Sequence, residues 1–122
     1  MCLALEELED VIDEALPLVA PQISSVKDLH IPSYQYTTYR PGDFYGWHED
    51  GSYSSFSHRR VSIIVILQPA EKGGELVIDG WEPGVPQEAG DVIIFPSYKR
   101  HSVSKIEEGR RLSLVNWFTQ RG

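Results

Sequence analysis

The sequence predicts a mainly β domain, a sandwich or jelly roll with one N-terminal amphipathic helix packed outside. Three observations carry this. Helical periodicity is confined to the start of the chain. The rest reads as short runs rich in β-branched and aromatic residues. Turn signals built on glycine, proline and aspartate separate those runs at regular spacing, the pattern of an all-β sandwich.

Leu5, Leu8, Val11, Ile12, Ala15 and Leu16 recur at helical spacing, and Glu6, Glu7, Glu9, Asp10, Asp13 and Glu14 fill the opposite side. This is a helix with a solvated acidic face, and Pro17 is expected to end it. Strands follow from Ser33 to Arg40 and from Phe44 to His48, separated by the Pro41-Gly42 turn signal. Val61 to Leu67 is a nearly continuous β-branched run, expected to be buried on both faces. Gly73-Gly74 punctuates before Glu75 to Ile78, and Gly90-Asp91 introduces Val92 to Phe95. Ser102 to Ile106 reads as the next strand, and Glu108-Gly109 turns the chain into Arg111 to Phe118. Gly51 to His58, rich in serine and aromatic residues, reads as the mobile loop.

At 122 residues the chain is expected to be one domain with a core of its own. Its formal charge is -7, from 18 acidic against 11 basic residues, which disfavours a nucleic-acid partner. Cys2 is the one cysteine, so neither a disulfide framework nor a cysteine-based zinc site can form. A reducing compartment follows from that. No run approaches the ~18 apolar residues that would suggest a membrane span, and the acidic start does not read as a secretory signal. A soluble cytoplasmic protein is expected.

His48, Asp50 and His101 supply two imidazoles and one carboxylate, the donor set of a facial triad that holds Fe(II) on one side and leaves the other open. Alternate residues of a strand share a face, so His48 and Asp50, at a strand end, can aim into one mouth of a sandwich while Glu49 points away. His101 is expected in the loop just before the Ser102 strand. His30 and His58 have no acidic residue two positions later and read as surface residues. Arg111 shares a strand face with Ser113, and Val115 and Trp117 follow the same parity. An arginine turned into an apolar sandwich needs an anion, and its fork matches a carboxylate. That strand therefore predicts a bound carboxylate, with Ser113 as an added hydroxyl donor. The neighbouring Arg110 would then face out.

Several stretches are read together here: Tyr39-Arg40-Pro41-Gly42, His48-Glu49-Asp50, Arg60-Val61-Ser62, Gly73-Gly74-Glu75-Leu76, the run from Ala89 to Ser97, His101-Ser102-Val103, Gly109 to Ser113, and Trp117. In this order and spacing they resemble the catalytic core of Fe(II)/2-oxoglutarate-dependent dioxygenases, most of all the prolyl 4-hydroxylase-like branch. The resemblance covers roughly residues 34 to 120. It implies a double-stranded β-helix, the jelly roll, as a single catalytic domain over residues 1–122, with a helix at about 3–16 and a core at about 33–120. It implies His48, Asp50 and His101 as iron ligands and Arg111 as the partner of the distal carboxylate of 2-oxoglutarate. Tyr39 matches a tyrosine that hydrogen-bonds the same cosubstrate, though it reads equally as a structural strand aromatic. Ser113 completes an Arg-x-Ser pattern found in part of the superfamily. Prolyl 4-hydroxylases usually carry lysine where Arg111 stands, and relatives often have several helices where this chain shows one.

The function implied is an oxygenase that hydroxylates a C–H bond, of a peptidyl residue such as proline, with release of succinate and CO2. Fe(II), 2-oxoglutarate and O2 are implied, with ascorbate as a candidate reductant. The same chemistry on a free amino acid, another small molecule or an alkylated base stays open. So do a Zn(II) hydrolase on the same ligands, which leaves Arg111 unexplained, and a non-catalytic jelly-roll binding module. Tyr45, Trp47, Tyr53, Phe56 and Tyr98 are candidates for the walls and lid of a substrate site, or equally for packing at core and rim. No reading of oligomeric state follows from the sequence.

Overall fold

The longest β-branched run and the last strand pair along their whole length and build the spine of the structure. This is a computed structural model, and it describes residues 10, 13, 14, 16–18, 29, 30, 34–51, 59–81 and 84–120. Its strands in chain order are β1 (Leu29–His30), β2 (Tyr34–Tyr39), β3 (Tyr45–His48), β4 (Arg59–Gln68), β5 (Lys72–Gly73), β6 (Leu76–Ile78), β7 (Val92–Pro96), β8 (His101–Val103), β9 (Ile106–Glu108) and β10 (Arg111–Gln120). The larger sheet runs β1-β10-β4-β7, with β2 also on β10. The smaller runs β3-β8-β6, and β5 pairs with β9 alone. All of these pairings are antiparallel.

The core lies where inward-facing residues of both sheets meet. Ile64 and Ile66 of β4 and Ile93 and Phe95 of β7 join Leu76 and Ile78 of β6 and Val103 of β8, with Ile106 and Val85 closing the cluster. The other parity of β4 is buried too: Val61 and Ile63 are fully covered, as is Phe118 beside them on β10. Burial on both faces is what the nearly continuous apolar run requires. Leu16 is buried while Asp10, Asp13 and Glu14 are exposed, so the described part of the helix has the amphipathic character read from its spacing.

Three expectations are corrected. Pro17 does not stop the helix, since Pro17 and Leu18 are themselves helical; proline removes its own N–H but holds φ in the helical range. Ser102 to Ile106 is not one strand. The chain leaves the smaller sheet after Val103 and starts β9 at Ile106, which pairs with β5 instead. His101 is not in a loop but is the first residue of β8. The expected loop falls largely on residues 52–58, including Tyr53, Phe56 and His58, and lies outside the described residues with Cys2 and most of the helix.

Candidate metal centre

His48 and His101 meet because β3 and β8 are antiparallel neighbours and these two residues are Cα partners. Asp50 reaches them from beyond the end of β3, not through strand parity. Its backbone N–H and that of Gly51 both donate to the Ser97 carbonyl, at 3.0 and 3.1 Å, which bends the chain back over the sheet. The result is a cluster in which one donor atom from each of His48, Asp50 and His101 lies within 4.8 Å of the others. Asp50 Oδ1 is 3.4 Å from His48 Nε2 and 3.3 Å from His101 Nε2.

The ring orientations are fixed from behind. His48 Nδ1 lies 2.7 Å from the Gly46 carbonyl and His101 Nδ1 lies 2.9 Å from the Lys99 carbonyl. A carbonyl only accepts, so each Nδ1 carries a hydrogen; in the neutral ring each Nε2 is then a lone-pair donor, and in the protonated ring it donates to Asp50. Phe95 packs edge-on to His101, and Tyr45 stacks on His48 at 3.7 Å. On the carboxylate, Ser62 Oγ donates to Asp50 Oδ2 at 2.6 Å. Burial alone would push Asp50 up, but hydrogen bonds from His101 and Ser62 outweigh it and hold the acid below its ordinary range. Burial pulls His101 down, and the Asp50 carboxylate more than reverses this, so the imidazole sits above its ordinary value. Two imidazole nitrogens and a carboxylate oxygen converging on one point, each held by a partner behind it, fit a ferrous ion.

The cluster opens into a cavity of about 290 Å³ whose lining includes Tyr39, Tyr45, Ile64, Arg111, Ser113, Val115 and Trp117. Arg111 is only 2% exposed, whereas Arg110 lies outside. Arg111 Nη1 donates to Ser113 Oγ at 3.2 Å, and Nη2 has no partner among the described residues. A buried guanidinium with a free N–H is a site that needs an anion. Burial lowers Arg111 from its ordinary value, opposed by Tyr39. Tyr39 is the Cα partner of Arg111 across β2 and β10, and the guanidinium carbon stands 5.5 Å from its ring centre. Burial raises the Tyr39 phenol, so it stays a neutral donor. The Ser113 oxygen accepts from Arg111, and its own hydrogen is what remains to donate.

Glu49 is exposed at the rim and outside the cluster. Of the candidate aromatics, Tyr45 lines the cavity, while Trp47 and Tyr98 are exposed and not among its lining, with Arg100 near the Trp47 ring. Sequence reasoning gave Ser62 and Ser97 no role, although both stand in stretches it singled out.

The profile of the 2OG-Fe(II) oxygenase superfamily matches residues 34–119, well over half of the chain. The chain belongs to that superfamily. Membership brings Fe(II), 2-oxoglutarate and O2 as the reactants of such a centre. A PKHD-type hydroxylase of Picosynechococcus sp. is 31% identical over 116 residues, covering 92% of this chain and 53% of that protein. A PKHD-type hydroxylase of Idiomarina loihiensis is 32% identical over 87 residues, covering 65% of this chain and 38% of that protein. The chain thus spans about half, or less, of the length of these curated relatives. The crystal structure of a Pseudomonas putida prolyl-4-hydroxylase superposes with a TM-score of 0.68 at 27% identity, covering 100% of this chain and 68% of that one. The superfamily's jelly roll, as expected, is the fold of this chain. Among the described residues no helix is long and apolar enough to cross a membrane.

Proposed function

We propose that this chain carries the catalytic core of a 2-oxoglutarate-dependent hydroxylase acting on a peptidyl residue such as proline. The observation that carries the reading is one cavity with two chemistries: a His48–Asp50–His101 donor set, and a buried Arg111 with an N–H that has no partner among the described residues. A metal hydrolase accounts for the first and leaves the second without purpose. An oxygenase that binds a dicarboxylate needs both.

In this reading His48, Asp50 and His101 hold Fe(II) through Nε2, Oδ1 and Nε2. Arg111 binds the distal carboxylate of 2-oxoglutarate, with Tyr39 and Ser113 as hydroxyl donors beside it. When bound, iron and cosubstrate supply the oxidant for C–H hydroxylation, with release of succinate and CO2. The protein's part is placement and dryness. Ile64 and Val115 keep the cavity wall apolar between the two polar ends, where charged contacts are worth more than in water. No side chain is needed as nucleophile or general base.

The substrate class is supported by the hydroxylases and the prolyl-4-hydroxylase that the chain is similar to. Half-exposed Tyr45 on β3, which lines the cavity, offers an aromatic surface to an extended peptide. Ascorbate as reductant, the absence of a nucleic-acid partner and a cytoplasmic location belong to the same proposal. The test is succinate release from the full chain on adding Fe(II), 2-oxoglutarate and O2, followed by mass analysis of proline-containing peptides for a gained oxygen. Succinate at background levels under all conditions would defeat the oxygenase reading. Succinate without peptide oxidation would defeat the peptidyl one.

A further inference from the structure

Asp50 has two oxygens, and the structure treats them differently. Oδ1 faces both imidazole Nε2 atoms. Oδ2 receives the Ser62 hydroxyl at 2.6 Å, from the larger sheet across the mouth. Ser62 Oγ is in turn 2.9 Å from Ser97 Oγ. Both serines are 0% exposed, so solvent water does not reach either hydroxyl from outside.

The direction of this chain follows from counting hydrogens. A serine hydroxyl has one. That of Ser62 goes to the carboxylate, which can only accept. Ser97 must then donate to Ser62, and the sequence of bonds runs Ser97 to Ser62 to Asp50. Each donor polarises the next, which strengthens the last bond. Ser97 also anchors the backbone, since its carbonyl takes the N–H groups of Asp50 and Gly51 and its own N–H donates to the Arg60 carbonyl. Ser97 therefore helps to place the Asp50 backbone, and through Ser62 it acts on the carboxylate as well.

We propose that Ser62 and Ser97 are positioning residues that hold Asp50 to one-oxygen ligation, a role that rests on the metal centre proposed above. A facial triad is useful because three of six positions stay open. A carboxylate that swung both oxygens onto the ion would take one of them. The Ser62 bond makes that swing costly, because it would strip a buried hydroxyl of its acceptor. The apolar β4 run is interrupted at this one inward position, between Val61 and Ile63, and the partner of the hydroxyl explains why.

Cobalt(II), stable in air, reports on the site without turnover. It is titrated into the full chain, its wild-type form and variants, reading affinity and the visible ligand-field bands. Ser62→Ala should weaken cobalt binding by about ten- to hundredfold. It should also shift the bands and reduce 2-oxoglutarate affinity of the cobalt-loaded protein. Ser62→Thr, which keeps the hydroxyl, should restore all three. Ser97→Ala should act in the same direction and less. If Ser62→Ala loses its near-UV dichroism, Ser97→Ala decides alone. Cobalt affinity within about twofold of wild type, with unchanged bands, in the folded variant overturns the role of the serines while the metal centre stands. Wild-type protein that binds no cobalt, or binds it equally after His101→Ala, overturns the centre and this role with it.

Discussion

His48 and His101 are direct partners across the β3–β8 pair, with ring centres 4.2 Å apart. Two imidazoles that stand far apart along the chain are thereby fixed by one antiparallel register. Phe95 supports His101 from the larger sheet, and Ser62 reaches Asp50 from the same sheet. The donor set is thus tied to both layers of the sandwich, so its geometry is maintained by the core itself.

His101→Ala should remove metal binding and also lower the melting temperature of the metal-free protein. Placed in a loop, this histidine could be deleted with little structural effect. In β8 it is 4% exposed, packed against Phe95 and bonded to the Lys99 carbonyl, so truncation leaves a hole and an unpaired carbonyl. A loss of about 1–3 kcal/mol is expected. Thermal denaturation in EDTA, alongside succinate release in Fe(II), checks both halves. An unchanged melt with lost turnover would mean that the ring carries no packing.

How much of this was legible in the sequence depends on whether a residue announces its partners. β4 and β10 were legible because burial on both faces leaves a nearly continuous apolar run and because Arg111-x-Ser113 alternates with Leu112 and Leu114. Lys72–Gly73 and Ile106–Glu108 were not, since strands of two or three residues carry no period, and they exist only because they pair with each other. The three candidate ligands were legible by residue type. The bond from Ser62 to Asp50 was not, because a serine in an apolar strand looks the same whether or not a carboxylate faces it.

Arg111→Met should separate function from stability with opposite signs. The guanidinium is buried and Nη2 has no partner among the described residues, so removing the charge relieves a desolvation penalty. The metal-free, cosubstrate-free variant should melt at or above the wild type. Its 2-oxoglutarate affinity should fall by about 100-fold or more, the loss of roughly 3 kcal/mol for a buried charge pair. Titration calorimetry on the cobalt-loaded protein, with melts of the apo form, reads both. An unaltered 2-oxoglutarate affinity would move the anion site elsewhere.

Gly73→Ala should destabilise the fold at the β5–β9 pair. Gly73 has φ +74, and a Cβ there would run into the Lys105 carbonyl where β5 meets β9. A left-handed backbone and a clash with main chain act together, so a loss of at least about 1–3 kcal/mol is expected. Gly42→Ala is the control: its φ is +94 but a Cβ would meet nothing within 4 Å, so only the backbone penalty remains. Chemical denaturation of both variants should rank Gly73→Ala as the more damaging, and equal losses would assign the effect to φ alone.

Metal-free and metal-loaded protein should respond to pH in opposite directions. Asp50 is held below its ordinary 3.8, so its contribution to stability is present above that value and is lost as pH falls through the folded value. His101 is raised above 6.5, so its contribution is full below 6.5 and is lost as pH rises through the folded value. In EDTA the pair therefore stabilises most between about pH 4 and 6.5, where the acid is ionised and the imidazole protonated. A metal ion needs the imidazole neutral, so the extra stability it confers should grow as pH rises across the same range. Melting temperatures in EDTA and in cobalt(II), taken from pH 4 to 8, should converge at the acid end and separate towards the alkaline end. His101→Gln should abolish both trends by removing the titrating ring. A metal-dependent increment that is constant with pH would mean that no proton is displaced on binding, and that the metal is not held by a protonatable imidazole.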